Sequence, residues 1–361
     1  MPLSEETVRI NRAPICITGM HRSGTSMVAH VLHECGLYLG PEEALLSASA
    51  ENPDGYWENT RIVAFNDSLL EALGGAWDAP PAQAQPETLL QENSSQVQEL
   101  IADLQERALW GWKDPRACLT LPFWQGVFPL IRLVVCARAP LEVARSLNHR
   151  QDAMGYDHGL ELWSAYYEAL LRYLRPEDRV VFTHFDTWFY NPARELERVA
   201  NELKLSIPPE VIEEASKVVS GKLRHNASSP QLLRDAHLPN AVEQIYAALL
   251  DKLGAVFDDM QADEAYQQRL SATLPGALQE SLIATERRLS DARWELKTTT
   301  ASLSNLHQET HRLQIALAER EHELELLKPV LALREQQLQD LRASRAYQLY
   351  ERLVKPVVKK K

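Results

Sequence analysis

Apolar positions fall into two kinds of run along this chain. Short, nearly continuous and largely β-branched runs occupy 15–18, 130–137 and 179–185, and a shorter aromatic run occupies 110–112. Runs of this kind suit the strands of a parallel sheet, which are buried on both faces. Between them, apolar residues recur three and four apart. That spacing predicts helices over about 25–35, 62–73, 94–108 and 160–174, the last with an aromatic stripe at Trp163, Tyr166 and Tyr167. Strands alternating with helices predict an α/β fold: a three-layer domain of P-loop type around a central parallel sheet. The punctuation agrees. Gly36 suits the end of the first helix, Pro140 the first position of another, and Asn191-Pro192 the cap of a third. Residues 74–96, rich in Pro, Gln, Ala and Gly, read as a long loop of the kind that forms lids or binding loops.

The period changes near the C-terminus. Residues 261–275 are polar and patternless and read as a linker. Beyond them the repeat is seven. With Leu282 at position a, eight of the nine a positions to Leu338 are Leu, and Thr310 is the exception. The d positions are mixed and include Arg320 and Arg334. A sustained heptad seam predicts a coiled coil, hence a homo-oligomer or a partner helix; the alternative is a long helix folded back on the domain. Pro329 predicts a kink or break. The last stretch carries Tyr347, Leu349, Tyr350 and Leu353, then Lys355 and Lys359 to Lys361. It reads either as a basic amphipathic tail in weak contact with an anionic membrane surface or as a solvated tail. The expected organisation is a domain over 1–262, a linker over 263–275, a coiled coil over 276–345 and the tail over 346–361.

Totals narrow the class. Of the 361 residues 45% are hydrophobic, enough for a real core, and the net charge of −12 argues against a nucleic-acid partner. Residues 1–12 are polar and charged, unlike a signal peptide, and no apolar run reaches the ~18 residues of a membrane helix. Cys16, Cys35, Cys118 and Cys136 form no C-x-x-C pair and read as buried free thiols in a reducing compartment. The expected location is cytoplasmic, with the tail allowing a peripheral position at the inner face of the membrane.

Three stretches carry chemistry. The run 15–18 breaks into Gly19-Met-His-Arg-Ser-Gly24 and enters a helix at Thr25-Ser26, the layout of a phosphate-cradling loop. Its glycines are spaced as in a Walker A loop, but Thr25 stands where that loop has Lys, and the positive side chain is Arg22, inside the loop. The second stretch, Trp110 to Arg116, delivers Lys113 and Asp114 at a strand end, where α/β proteins bind ligands. In the third, the run 130–137 ends on Arg138, Pro140 opens a helix, Ser146 follows eight residues after Arg138, and Arg150 lies one turn further. A planar guanidinium with a nearby hydroxyl suits a phosphate. Two carboxylates are candidate bases. Glu43 lies beside Glu42 beyond the first helix, and Glu58 lies in a turn-rich segment with Tyr56 and Trp57. The acidic pair reads equally as a solvated surface. The two aromatics read equally as lining for an acceptor or as an anchor for their loop. Asp186, at another strand end, allows a rival reading as the metal carboxylate of a Mg-dependent kinase or NTPase. The basic segment Gly221 to His225 reads either as solvated loop cations or as a loop folding over a nucleotide.

The loop His21-Arg22-Ser23-Gly24-Thr25-Ser26 resembles the P-[KR]-S-G-T-[ST] loop of sulfotransferases that use 3′-phosphoadenosine-5′-phosphosulfate (PAPS), with His21 in place of Pro. Lys113-Asp114-Pro115 resembles that family's K-D-P, and Arg138 with Ser146 resembles its 3′-phosphate site. The resemblance implies sulfuryl transfer from PAPS to an acceptor hydroxyl without a metal. It places the 5′-phosphosulfate on residues 21–26 and the 3′-phosphate on Arg138 and Ser146. Arg22 and Lys113 would meet the charge on the leaving oxygen. Glu43 falls at the position of the base in the tyrosylprotein branch, and Glu58 is the substitute. A saccharide or glycoconjugate acceptor is the expectation by analogy. A non-catalytic scaffold working through the coiled coil is the remaining alternative.

Overall fold

A computed structural model of the chain describes residues 13–49, 52, 55–81, 93–148, 154–219, 238–272 and 276–353. Arg150, the segment 221–225 and the tail residues 354–361, with Lys355 and Lys359 to Lys361, lie outside the described residues. The chain divides into two units, Met1–Trp294 and Glu295–Lys361.

The first unit is built on β1 (Ile15–Thr18), β2 (Gly111–Lys113), β3 (Arg132–Ala137) and β4 (Arg179–His184). All pairs are parallel and the spatial order is β2-β1-β3-β4. Around the sheet lie α1 (Thr25–Glu34), α2 (Thr60–Ala72), α3 (Ser94–Gln105), α4 (Ala117–Val127), α5 (Pro140–Asn148) and α6 (Tyr156–Tyr173). They are followed by α7 (Phe185–Tyr190), α8 (Pro192–Glu202), α9 (Pro209–Ser216), α10 (Asn240–Leu250), α11 (Ala255–Ala262) and α12 (Glu264–Ala272).

Successive strand side chains point to opposite faces, so continuous apolar strands make two cores. Cys16, Leu133, Val135 and Phe182 face one core, closed by α2 to α6 and α10. Ile15, Ile17, Val134 and Val181 face the other, closed by α1, α7, α8 and α9. This is the expected three-layer arrangement, with β1 inside the sheet and its C-terminal end flanked by β2 and β3. Burial pushes the Cys118 thiol up to about 12, so it stays protonated beneath the sheet end.

Three local expectations change. The stretch 263–275 carries α12, whose Tyr266 packs with Phe257 and Met260 of α11 and meets the Tyr190 ring at 5.0 Å. A lone buried aromatic gives no periodic signal. Asp186 lies in the first turn of α7 rather than at the end of β4. Finally, α13 (Gly276–Ala343) continues through Pro329 without a break. Proline removes one N–H from the ladder, but the site is exposed and water can serve the orphaned carbonyl.

The first turns of α13 are docked within the first unit. The Trp294 ring stacks on His158 of α6 at 5.1 Å, Asp291 Oδ1 accepts the Asp157 N–H at 3.3 Å, and Ser290 bonds to Asn148. In the second unit, the rest of α13 presents exposed leucines, and α14 (Arg345–Leu353) follows. Among the described residues no helix is long and apolar enough to cross a membrane.

Candidate active site

The loop after β1 is bent sharply. Gly19 has φ +136°, and a Cβ there would lie 2.2 Å from the Cys136 carbonyl oxygen of β3. Gly24, before α1, has φ +87°, and its Cβ would lie 2.6 Å from the Phe185 ring. Both positions need glycine for conformation and for room. Arg22 itself adopts φ +69°, a strained turn of the kind that occurs at ligand sites.

That turn carries Arg22 to the third motif. Its Nε donates to Ser146 Oγ of α5 at 2.9 Å, and its carbonyl accepts from Arg138 at 3.0 Å. Arg138 also donates from Nε to Glu142 Oε2 at 2.8 Å and lies over the Phe185 ring at 4.1 Å. Two guanidinium groups from segments over a hundred residues apart therefore share one corner with a hydroxyl. Ser23 is fixed from below by Tyr167, whose hydroxyl donates to the Cys136 carbonyl at 2.6 Å and lies 3.0 Å from Ser23 Oγ. Burial pushes the Tyr167 phenol upward, so it remains a donor.

The other end of the loop meets the second motif. Lys113 Nζ, at the end of β2, donates to Ser26 Oγ at 3.3 Å and to Glu58 Oε1 at 2.5 Å. Lys113 is 2% exposed and Glu58 5%, so this is a buried pair and neither partner can be removed cheaply. Arg116 lies 3.5 Å from the second Glu58 oxygen, 2.6 Å from Asp67 and 3.1 Å from Asp114. Asp114 is turned inward, accepting from Asn66 at 2.8 Å and from the Arg116 N–H at 2.9 Å. Burial pushes Asp114 up to about 6; the Arg116 charge opposes the rise and the Glu58 charge adds to it. Burial works against the Arg116 charge, but the surrounding carboxylates outweigh it and hold the guanidinium charged.

Glu58 and Glu43 are placed differently. Glu43 lies exposed on a 3-10 turn, Glu42–Ala44. Glu58 is held in place by its neighbours: Trp57, at φ +59°, stacks on His30 of α1 at 4.5 Å, and Asn59 caps α2 by accepting the Arg61 N–H at 3.1 Å. Tyr56 bonds to Ser49 at 2.7 Å. These two aromatics thus make the anchoring contacts of their loop. Trp77, from the start of the long loop, lies beside the loop after β1 with its ring 4.9 Å from His21. Thr25 is buried in the first turn of α1. Two functional neighbours were missed in the sequence. Glu142 was readable, because it lies four residues after Arg138 on one helix face. The Asn66–Asp114–Arg116–Asp67 network was not, because it joins α2 to the residues after β2. Among the described residues no group of three or more His, Cys, Asp or Glu could hold a metal.

A model of the sulfotransferase family matches residues 14–209. The chain belongs to the sulfotransferase family. The match runs from just before β1 to the first residue of α9 and so contains every residue of this site, while α10 to α14 lie beyond it. No curated protein matches the chain. Among solved structures, similar chains include sulfotransferase STF1 of Mycobacterium tuberculosis H37Rv, at 16% identity and TM-score 0.34 over 65% of this chain and 76% of that one. The sulfotransferase domain of the Synechococcus PCC 7002 olefin synthase is 18% identical, at TM-score 0.39, over 66% of this chain and 92% of that one. Sulfotransferase STF9 of Mycobacterium avium is 15% identical, at TM-score 0.41, over 66% and 76%. At these scores the likenesses add nothing to the family match. Asp186 is on no strand: it lies in α7, and β4, which precedes that helix, is separated from β1 by β3.

Proposed function

We propose that this sulfotransferase moves a sulfuryl group from PAPS to an acceptor hydroxyl. The observation that carries the reading is that one loop, residues 19–26, touches a cationic group at each end: Lys113 through Ser26, and Arg138 with Ser146 through Arg22. A nucleotide with phosphates at both its 3′ and 5′ positions needs two such ends. The side-chain set fits such a group, since it consists of two guanidinium groups, an ammonium and hydroxyls around a helix N-terminus. When bound, PAPS supplies an activated sulfuryl group whose departure leaves negative charge on a phosphate oxygen.

The chain's own groups divide the work. Thr25, Ser26 and the loop backbone at the N-terminus of α1 hold the 5′ end. Arg138 and Ser146 hold the 3′-phosphate, and Arg22, bonded to Ser146, ties the two ends together. Lys113 neutralises the leaving oxygen, and Arg22 joins it as the second cation of that role on releasing Ser146. Glu58 takes the acceptor proton. It is the carboxylate in contact with Lys113, which is why we favour it over Glu43. As Lys113 turns toward the leaving oxygen, Glu58 keeps Arg116 as its neighbour and becomes free to accept a proton. For the acceptor we propose a saccharide hydroxyl. The support is analogy with glycan-modifying transferases, together with the half-buried Trp77 face beside His21, which suits the C–H face of a sugar ring.

The test is transfer from sulfur-labelled PAPS to a panel of saccharides, small alcohols and phenols, in excess EDTA and in parallel with labelled ATP. The reading expects a sulfated product in EDTA and no phosphoryl transfer. Phosphoryl transfer that requires Mg²⁺ would establish the kinase reading instead.

A further inference from the structure

We propose that the second unit pairs two copies of this chain as a parallel, in-register, two-stranded coiled coil between Leu296 and Leu341. Along this part of α13 leucines recur every seven residues and stand in the open: Leu303 is 62% exposed, Leu317 60%, Leu324 61% and Leu331 63%. A seven-residue repeat drifts around a straight helix of 3.6 residues per turn. It stays on one face only when the helix winds around another with the same repeat. The helix that matches this repeat, length and pattern of interruptions is a second copy of the same chain.

The interruptions supply the charge argument. The seam is interrupted by Thr299 and Thr310 and, at two d positions, by Arg320 and Arg334; each arginine is followed at e by a glutamate, Glu321 and Glu335. In a parallel, in-register pair a d side chain faces its own copy and packs beside the e position of the facing helix, so each pair of arginines is flanked by two glutamates. Arg320 therefore meets the partner's Glu321, and Arg334 meets the partner's Glu335. Arg320 is already drawn toward its own g-position Glu323, at 2.5 Å, which is the flank that faces the partner's e positions. Glu323 in turn stands opposite the partner's Lys328. An antiparallel pair sets g against g and loses that pairing. The pairing also has a natural start. N-terminal to Trp294 the same geometry would set Arg288 against the partner's Arg293, and there α13 is docked within its own first unit through Ser290 and Trp294.

The test uses the full chain. Light scattering at tens of micromolar should give twice the 40.9 kDa mass of one chain. Leu317→Asp with Leu324→Asp should give a monomer whose first unit keeps its melting transition. For direction, Leu306→Cys and, separately, Leu341→Cys are made in a Cys35→Ser background, the other native cysteines being buried. Both should form disulfide-linked dimers on mild oxidation, whereas an antiparallel pair can join at most one of them. Arg320→Glu should weaken association at least about tenfold, and adding Glu321→Arg should restore it. A monomeric wild type, a mass of three or more chains, cross-linking at only one position or at neither, or an Arg320→Glu variant of unchanged association would each overturn the proposal.

Discussion

At the scale of single residues, the account turns on a buried carboxylate shared between two cations. Glu58→Gln should lower turnover by roughly 10²–10⁴, the usual worth of a positioned base, while Glu43→Gln should leave it within about twofold because that side chain is exposed. Steady-state rates with both variants decide between the two glutamates, and the reverse order would move the base to Glu43. Lys113→Ala should cost roughly 10²–10³ in turnover and also lower the melting temperature, because buried Glu58 loses the nearer of its two cations. Asp114 makes a separate thermodynamic prediction. Its folded value of about 6 lies above the ordinary 3.8, so the folded state binds this proton more tightly than the unfolded chain. The Asp114 contribution therefore falls as pH rises from about 4 to 6, by on the order of 3 kcal/mol. Urea unfolding of wild type and Asp114→Asn across that window should show a stability difference that changes with pH by that order. A constant difference would mean that Asp114 is not held in this way.

At the scale of elements, what was legible depended on how local the cause was. The four strands could be read because burial on both faces demands apolar residues in sequence, and their ends gave Lys113, Arg138 and the loop. The helix α12 could not be read, because one tyrosine anchors it. The contact of Glu58 with Lys113, which favours it over Glu43, follows a Trp57 in a left-handed conformation that no residue-type rule assigns to tryptophan. The Arg22–Ser146 bond joins residues 124 apart, a contact that no local pattern contains; only the motifs at its two ends were visible. The bend after β1 is the element most sensitive to change. Gly19→Ala places a methyl group against the Cys136 carbonyl in a conformation that alanine resists. It should destabilise the domain by roughly 3 kcal/mol, seen as a lowered urea midpoint with an unchanged slope. A midpoint equal to wild type would mean that the loop has room the structure does not show.

At the scale of the whole molecule, the proposed chemistry and the proposed assembly fall in different units of the chain. Every residue of the proposed site lies in the first unit and within the stretch 14–209 matched by the family. The leucine seam proposed for pairing lies in the second unit, so breaking that seam should not remove nucleotide binding. The central claim is that the two cationic ends of the loop hold one nucleotide. Calorimetry with adenosine 3′,5′-bisphosphate and with adenosine 5′-monophosphate, on wild type and on Arg138→Gln, tests it most directly. Charge-assisted hydrogen bonds contribute about 1.5–3 kcal/mol each. The wild type should therefore bind the bisphosphate about a hundredfold or more tighter than the monophosphate, and Arg138→Gln should lose most of that preference while still binding the monophosphate. Equal affinity of the wild type for the two nucleotides, or a preference that survives Arg138→Gln, would contradict the account.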